Sequence, residues 1–93
     1  MANEKISFRI LANIGTLARN DSGWSKEVNL VSWNNGPAKL DIRDWSEDHN
    51  KMSRGITLTA LEAQRLVDSI QARDAIGLLK DINEQSKSPR YER

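Results

Sequence analysis

From Lys5 onward the chain alternates. Ile6, Phe8, Ile10, Ala12 and Ile14 stand against Lys5, Ser7, Arg9, Leu11 and Asn13, the period of two that marks a β-strand. Gly15 interrupts the pattern, and the apolar phase slips from Ile14 to Leu17. A bulge or bend near Gly15 accounts for both features. Asn20-Asp-Ser-Gly23 collects turn formers. A second alternating run follows to Trp33, with Val28, Leu30 and Ser32 against Glu27, Asn29, Val31 and Trp33. Asn34-Asn-Gly-Pro37 then predicts a tight hairpin, because Asn-Gly tolerates the positive φ of a type I′ turn.

The third run, Lys39-Leu-Asp-Ile-Arg-Asp-Trp45, is therefore expected to lie antiparallel to the second. Leu40 and Ile42 point one way, while Lys39, Asp41, Arg43 and Trp45 point the other. Ser46 to Asn50 reads as a polar loop, and Arg54-Gly-Ile-Thr-Leu58 as a short fourth strand. Thr59-Ala-Leu-Glu62 has the spacing of a capping box and opens a helix. Ala63, Leu66, Val67 and Ile70 fall on one face of that helix, and Leu61, Ala72, Ile76 and Leu79 on roughly the opposite face. Either the helix breaks near Arg73-Asp74, or a single helix has two apolar faces and needs two partners. The second stripe packs on a C-terminal segment or forms a dimer seam. The expected fold class is α+β, a four-stranded antiparallel sheet followed by a helix (β-β-β-β-α). It forms one domain over residues 1–85, with a polar tail over residues 86–93.

Composition narrows the function. With 93 residues, one modest core is the default, which keeps self-association open. The absence of cysteine removes disulfide scaffolds and cysteine zinc sites. No apolar run approaches a membrane span, and the N-terminus has no hydrophobic leader region, so the expectation is a cytoplasmic protein without membrane contact. A net charge of +1 is no bulk basic field. Residues 1–58 carry 8 basic and 7 acidic side chains, and residues 59–93 carry 6 of each. Any polyanion site must therefore come from local placement of cations.

Such placement exists. Lys39, Arg43 and Trp45 share a face, Trp33 closes the neighbouring strand, and Lys51 and Arg54 flank the start of the fourth. Cations that track phosphates and flat aromatics on which bases stack are what single-strand binders use. The same tryptophans could instead cap the core, and the pattern alone leaves both readings open. Asp41, Asp44, Glu47, Asp48 and His49 supply carboxylates and the sole histidine, but their spacing matches no metal-ligand motif, and a solvated loop explains them. No G-x-S-x-G elbow, P-loop or G-x-G-x-x-G is present, so the expectation is a non-enzyme with no metal, cofactor or small-molecule substrate.

The segments GWSKEVNLVSWN, PAKLDIRDW and HNKMSRGITLT, in that order, resemble the transcriptional positive cofactor 4 family of single-stranded-DNA-binding coactivators, and its small bacterial branch most closely. The likeness runs from about Phe8 to Ile70. It implies a curved sheet, a homodimer with helices at the interface, and sequence-tolerant binding of single-stranded DNA, with RNA as an alternative ligand. By similarity, Trp33 and Trp45 take base-stacking positions, Arg43 the phosphate-contacting arginine, and Arg54 the basic residue before Gly-Ile-Thr-Leu. Lys26 and Lys39 take backbone contacts. The family's eukaryotic members carry a serine-rich basic region before this domain that has no counterpart in the sequence. The DNA-binding half is therefore what carries over. The process served, whether transcription regulation, replication or repair, is left open, and a nucleoid association is implied if the source is bacterial. The rival class is a dimeric scaffold that docks another protein.

Overall fold

The computed structural model describes residues 6–86. Four strands, β1 (Phe8–Arg19), β2 (Ser25–Trp33), β3 (Ala38–Trp45) and β4 (Met52–Leu58), precede two helices, α1 (Ala60–Ala72) and α2 (Ala75–Ser86). The strands form one antiparallel sheet in the order β1-β2-β3-β4. The chain separates into two compact units, Met1–Leu61 and Glu62–Arg93. The sequence assigned the fourth strand only from Arg54, whereas β4 begins at Met52. Of the polar tail expected from Ser86, that residue closes α2, and the rest lies outside the described residues.

The β2–β3 hairpin turns one residue earlier than Asn-Gly suggests. Asn34 (φ 50°) and Asn35 (φ 64°) are its two positive-φ centres, and the Gly36 amide donates to the Trp33 carbonyl at 2.8 Å. Asparagine tolerates this region because its short amide bonds locally. Asn34 is further held by Ser7, whose amide donates to Asn34 Oδ1 at 3.0 Å and whose carbonyl accepts from the Asn34 amide at 2.7 Å. The start of β1 is thereby pinned to the hairpin.

β1 is far less regular than its alternation implied. Its pairing with β2 skips three residues, Leu11, Ile14 and Leu17. Each skip is a bulge, in which two residues oppose one. The bend expected near Gly15 is thus one of three, and together they convert a period of two into a period of three. All three extra residues are apolar and exposed. A long edge strand broken in this way cannot template regular pairing with another chain.

The helix does break where the apolar stripe changed face. α1 ends at Ala72, and Asp74 takes φ 48°. The Asp74 carbonyl accepts from the Leu78 amide at 3.0 Å and its carboxylate from the Gly77 amide at 3.3 Å, so Asp74 caps α2. Thr59 sits directly before α1, in the position a cap requires. No residue of α1 is buried, and Leu61, Leu66, Val67, Ile76, Leu78, Leu79 and Ile82 are exposed. No helix of the described residues is long and apolar enough to cross a membrane.

The buried side chains lie on an unexpected face. Along β2 the odd positions Ser25, Glu27, Asn29 and Val31 are buried, while Val28 and Leu30 are half-exposed. Register extends this across the sheet. Val28 pairs with Ile42 and Ile42 with Ile56, and Leu30 pairs with Leu40 and Leu40 with Leu58. That apolar row remains partly open, and Ile56 is 57% exposed. Among the described residues, Val31, Trp45, Asn29 and Asp41 are fully buried, all on the polar face.

Candidate nucleic-acid interface

Trp33 and Trp45 stand at opposite ends of the β2–β3 ladder, since Trp45 pairs with Ser25. In a flat sheet those rungs would lie roughly 25 Å apart at about 3.3 Å per residue. Yet the Phe8 ring lies 5.8 Å from Trp33 and 5.2 Å from Trp45. The sheet therefore curls strongly and folds its polar face inward, with Phe8 bridging the two indoles. The tilts of 47° and 49° are neither stacked nor perpendicular. His49 packs on the far side of Trp45 at 5.5 Å.

Arg43 is the centre of the cluster. Its Nε donates to Asp41 Oδ1 at 2.7 Å, and its second terminal nitrogen to Asp41 Oδ2 at 2.8 Å. This two-point fork is the strong, directional form of an arginine–carboxylate pair. The other terminal nitrogen donates to the Ser53 carbonyl at 3.1 Å. So held, the guanidinium lies 4.8 Å over the Trp33 ring, a cation–π contact. Gly55 makes the arrangement possible. It pairs with Arg43, and a Cβ there would collide with the Arg43 side chain and the Ile42 carbonyl. Asp41, an uncomfortable neighbour for a phosphate site, is thus fully paired and buried.

The expected site residues divide. Trp33, Arg43 and Lys39 share the inward face, Lys39 opposite Val31. Trp45 shares it too, but at 0% exposure its ring is enclosed by Phe8 and His49 and presents no open face for a base. The expectation of an open stacking tryptophan at Trp45 is corrected on that ground. Lys26 falls on the opposite, apolar face beside Val28 and Leu30, because strand alternation places even positions of β2 there. Arg54 is exposed on β4 where its pairing with β3 slips by one, and Lys51 is exposed in the preceding loop. Two buried indole N–H groups, those of Trp33 and Trp45, have no hydrogen-bond partner among the described residues.

The sequence reading missed a second polar chain. Asn13 donates to Asn29 at 2.7 Å, Asn29 donates to Glu27 at 3.1 Å, and His49 Nε2 lies 3.1 Å from both Glu27 oxygens. A carboxylate only accepts, so Nε2 carries the proton. Period-two spacing from Trp33 back through Asn29 to Glu27 already put these on one face. The β1 partner could not be found that way, because the bulges aim it. Ile10, Asn13, Thr16 and Arg19, three apart, all line a cavity of about 320 Å³ against Glu27 and Asn29.

The loop over residues 46–51 closes that end. Ser46 and Asn50 donate to Asp48, and the Lys51 amide donates to the Ser46 hydroxyl. The Asn50 amide first, then the Ser46 hydroxyl, hold the Asp48 carboxyl below the usual carboxylate range. Among the described residues there is no cluster of three or more histidine, cysteine and acidic side chains that could hold a metal.

The curled antiparallel sheet thus carries aromatics and a pinned guanidinium on its inner face. Comparison with known proteins makes the assignment. The chain belongs to the Transcriptional Coactivator p15 (PC4) family, whose sequence model matches residues 20–69, and that family binds single-stranded DNA and is non-enzymatic. The match covers β2, β3, β4 and most of α1, and leaves β1 and α2 outside. An uncharacterized protein of Treponema pallidum (strain Nichols) is 40% identical over 72 residues, which is 77% of this chain and 85% of the relative.

Proposed function

We propose that this protein is a homodimeric, sequence-tolerant binder of single-stranded DNA that reads the strand with the inner face of its sheet. The observation that carries the reading is the Arg43 guanidinium fixed over Trp33 by Asp41. A guanidinium locked flat offers a preorganised plane for a base and keeps one N–H donor for phosphate, with little side-chain entropy left to lose on binding. Trp33 is the half-exposed aromatic beside it, and Trp45 is the wall that holds Phe8 and the plane in place. Lys39, Arg54 and Lys51 supply phosphate contacts along the rim, and Lys26 stands on the other face, away from this groove. Transcription regulation, replication and repair all present such strands.

The dimer reading rests on the apolar row of the sheet and on exposed Leu61, Ala72, Ile76 and Leu79. Exposed apolar surface of this kind marks an interface. A second subunit covering it would set two inner faces on one assembly, and a continuous strand would gain avidity.

Tryptophan fluorescence titrated with unstructured oligonucleotide is the test. Quenching that weakens as salt rises is expected from phosphate contacts. Indifference between single strands and duplex would favour the protein-docking scaffold instead, and competition with RNA sets the DNA preference. Ile56→Asp should shift sedimentation from dimer to monomer, and an unchanged mass would end the dimer assignment for that face.

A further inference from the structure

The cavity between β1, β2 and the loop carrying His49 has no part in the stacking site, and β1, which builds one wall, lies outside the stretch that matches the family. Its size, about 320 Å³, is at the small end of ligand sites and suits one flat heterocycle. Its polar groups have a definite polarity. Asn13 donates to the Asn29 carbonyl oxygen, and Asn29 spends an N–H on Glu27 Oε1, so the chain of amides ends on a carboxylate. Glu27 is 7% exposed and faces the cavity. It offers roughly four lone-pair positions. Besides the Asn29 N–H, they receive a single His49 N–H shared by both oxygens. At the rim Arg19 makes one long bond to the Ser25 hydroxyl, 3.4 Å, and otherwise keeps its donors.

We propose that this cavity is a nucleobase pocket that selects guanine, with Glu27 as the reading residue. The inference rests on the single-strand-binding reading above and adds a sequence preference to it. Among the four bases in their neutral forms, guanine alone presents two adjacent donors, N1–H and the N2 amino group, next to an acceptor, O6. A carboxylate meets two parallel donors as it meets the fork of arginine. Arg19 then stands where O6 needs a donor. Cytosine and adenine set one amino donor beside a ring acceptor, which would face a carboxylate lone pair. Thymine sets one N–H between two carbonyl oxygens. The base displaces the His49 ring, which is 41% exposed and gives up its shared hydrogen bond to Glu27 and its packing on Trp45. Glu47 also lines the cavity and repels phosphate, so the backbone passes on the Arg19 side.

The bulges explain why such a pocket exists. A regular β1 would send Asn13 and Thr16 to opposite faces, whereas skipping Ile14 puts both against Asn29 and Glu27.

The experiment titrates the full-length protein by tryptophan quenching with oligothymidylates of about 12 nucleotides in which one central base is guanine, adenine or cytosine. Guanine should tighten binding about tenfold over the all-thymine strand, the discrimination typical of one good bidentate contact, and adenine and cytosine should not. Glu27→Gln should erase that gain, and Arg19→Ala, at an exposed position, should remove part of it. Equal affinity for all four strands overturns the pocket, as does a guanine preference that survives Glu27→Gln. No binding to any strand instead overturns the underlying single-strand reading. Should Glu27→Gln fail to fold, backbone NMR on the unaltered protein decides. The Asn13, Thr16 and Gly23 amides must shift more with the guanine strand than with all-thymine, and equal shifts reject the proposal.

Discussion

The two faces of one sheet exchange the roles expected of them. The inner face carries Glu27, Asn29, Asp41, Arg43 and two tryptophans, and among the described residues it holds every fully buried side chain. The outer face carries Val28, Leu30, Leu40, Ile42, Ile56 and Leu58, and it stays partly open. Apolar surface is what normally leaves water. Here the polar face is buried because the sheet curls around it and its groups satisfy one another: Asp41 with Arg43, Glu27 with Asn29 and His49. Buried polar groups are tolerable when paired and costly when orphaned. The difference teaches that the inner face is specified by geometry, while the outer one leaves apolar area in water.

The sharpest way to break the comparison is to remove one half of the inner pair. Asp41→Ala leaves the half-buried Arg43 guanidinium without its carboxylate and should cost about 3–5 kcal/mol in urea denaturation. A cost below about 1 kcal/mol would mean the pair is dispensable. Trp45→Ala should cost a comparable 3–5 kcal/mol, because a fully enclosed ring leaves a cavity. Ile56→Ala, read at a concentration where the protein is monomeric, should cost about 1 kcal/mol or less, since its side chain is already largely in water. Equal losses at Trp45 and Ile56 would erase the distinction between the faces.

Gly55→Ala is subtler. The new methyl must push the Arg43 side chain, so stability should fall by about 1–3 kcal/mol, and strand binding should weaken with it as the guanidinium leaves Trp33. Retained binding at reduced stability would separate the fold from the plane. The smallest effect belongs to the loop. The Asp48 pKa is lowered in the folded state, so its contribution is present above the ordinary carboxylate value of 3.8 and is lost as pH falls through the lowered one. An NMR titration should show the Asn50 amide changing below pH 3.8, with little change across neutral pH. A midpoint above that value would contradict the sign.

Much of the framework was written in local pattern. Period-two alternation marked the strands, the asparagines marked the hairpin, and the change of apolar stripe marked the break that Asp74 makes. The same alternation put Asp41, Arg43 and Trp45 on one face. Local pattern also misled at particular residues. The hairpin centre lies at Asn34–Asn35 because the Ser7–Asn34 bonds hold it there, a contact 27 residues apart in sequence. Lys26 counted as a cation near the site until register put it on the other side of the sheet.

The sequence by itself determined which residues share a strand face and where elements start and stop, because both follow from short-range sterics and period. Only the tertiary structure decided which face closes. Curvature brings rings from opposite ends of β2 and β3 onto Phe8, and bulges at Leu11, Ile14 and Leu17 turn Asn13, Thr16 and Arg19 toward Glu27. Neither is a property of any one segment, since each bulge is defined by the strand opposite it. That is why Trp45, which looked like an aromatic held out among charges, is the most enclosed large side chain in the sheet.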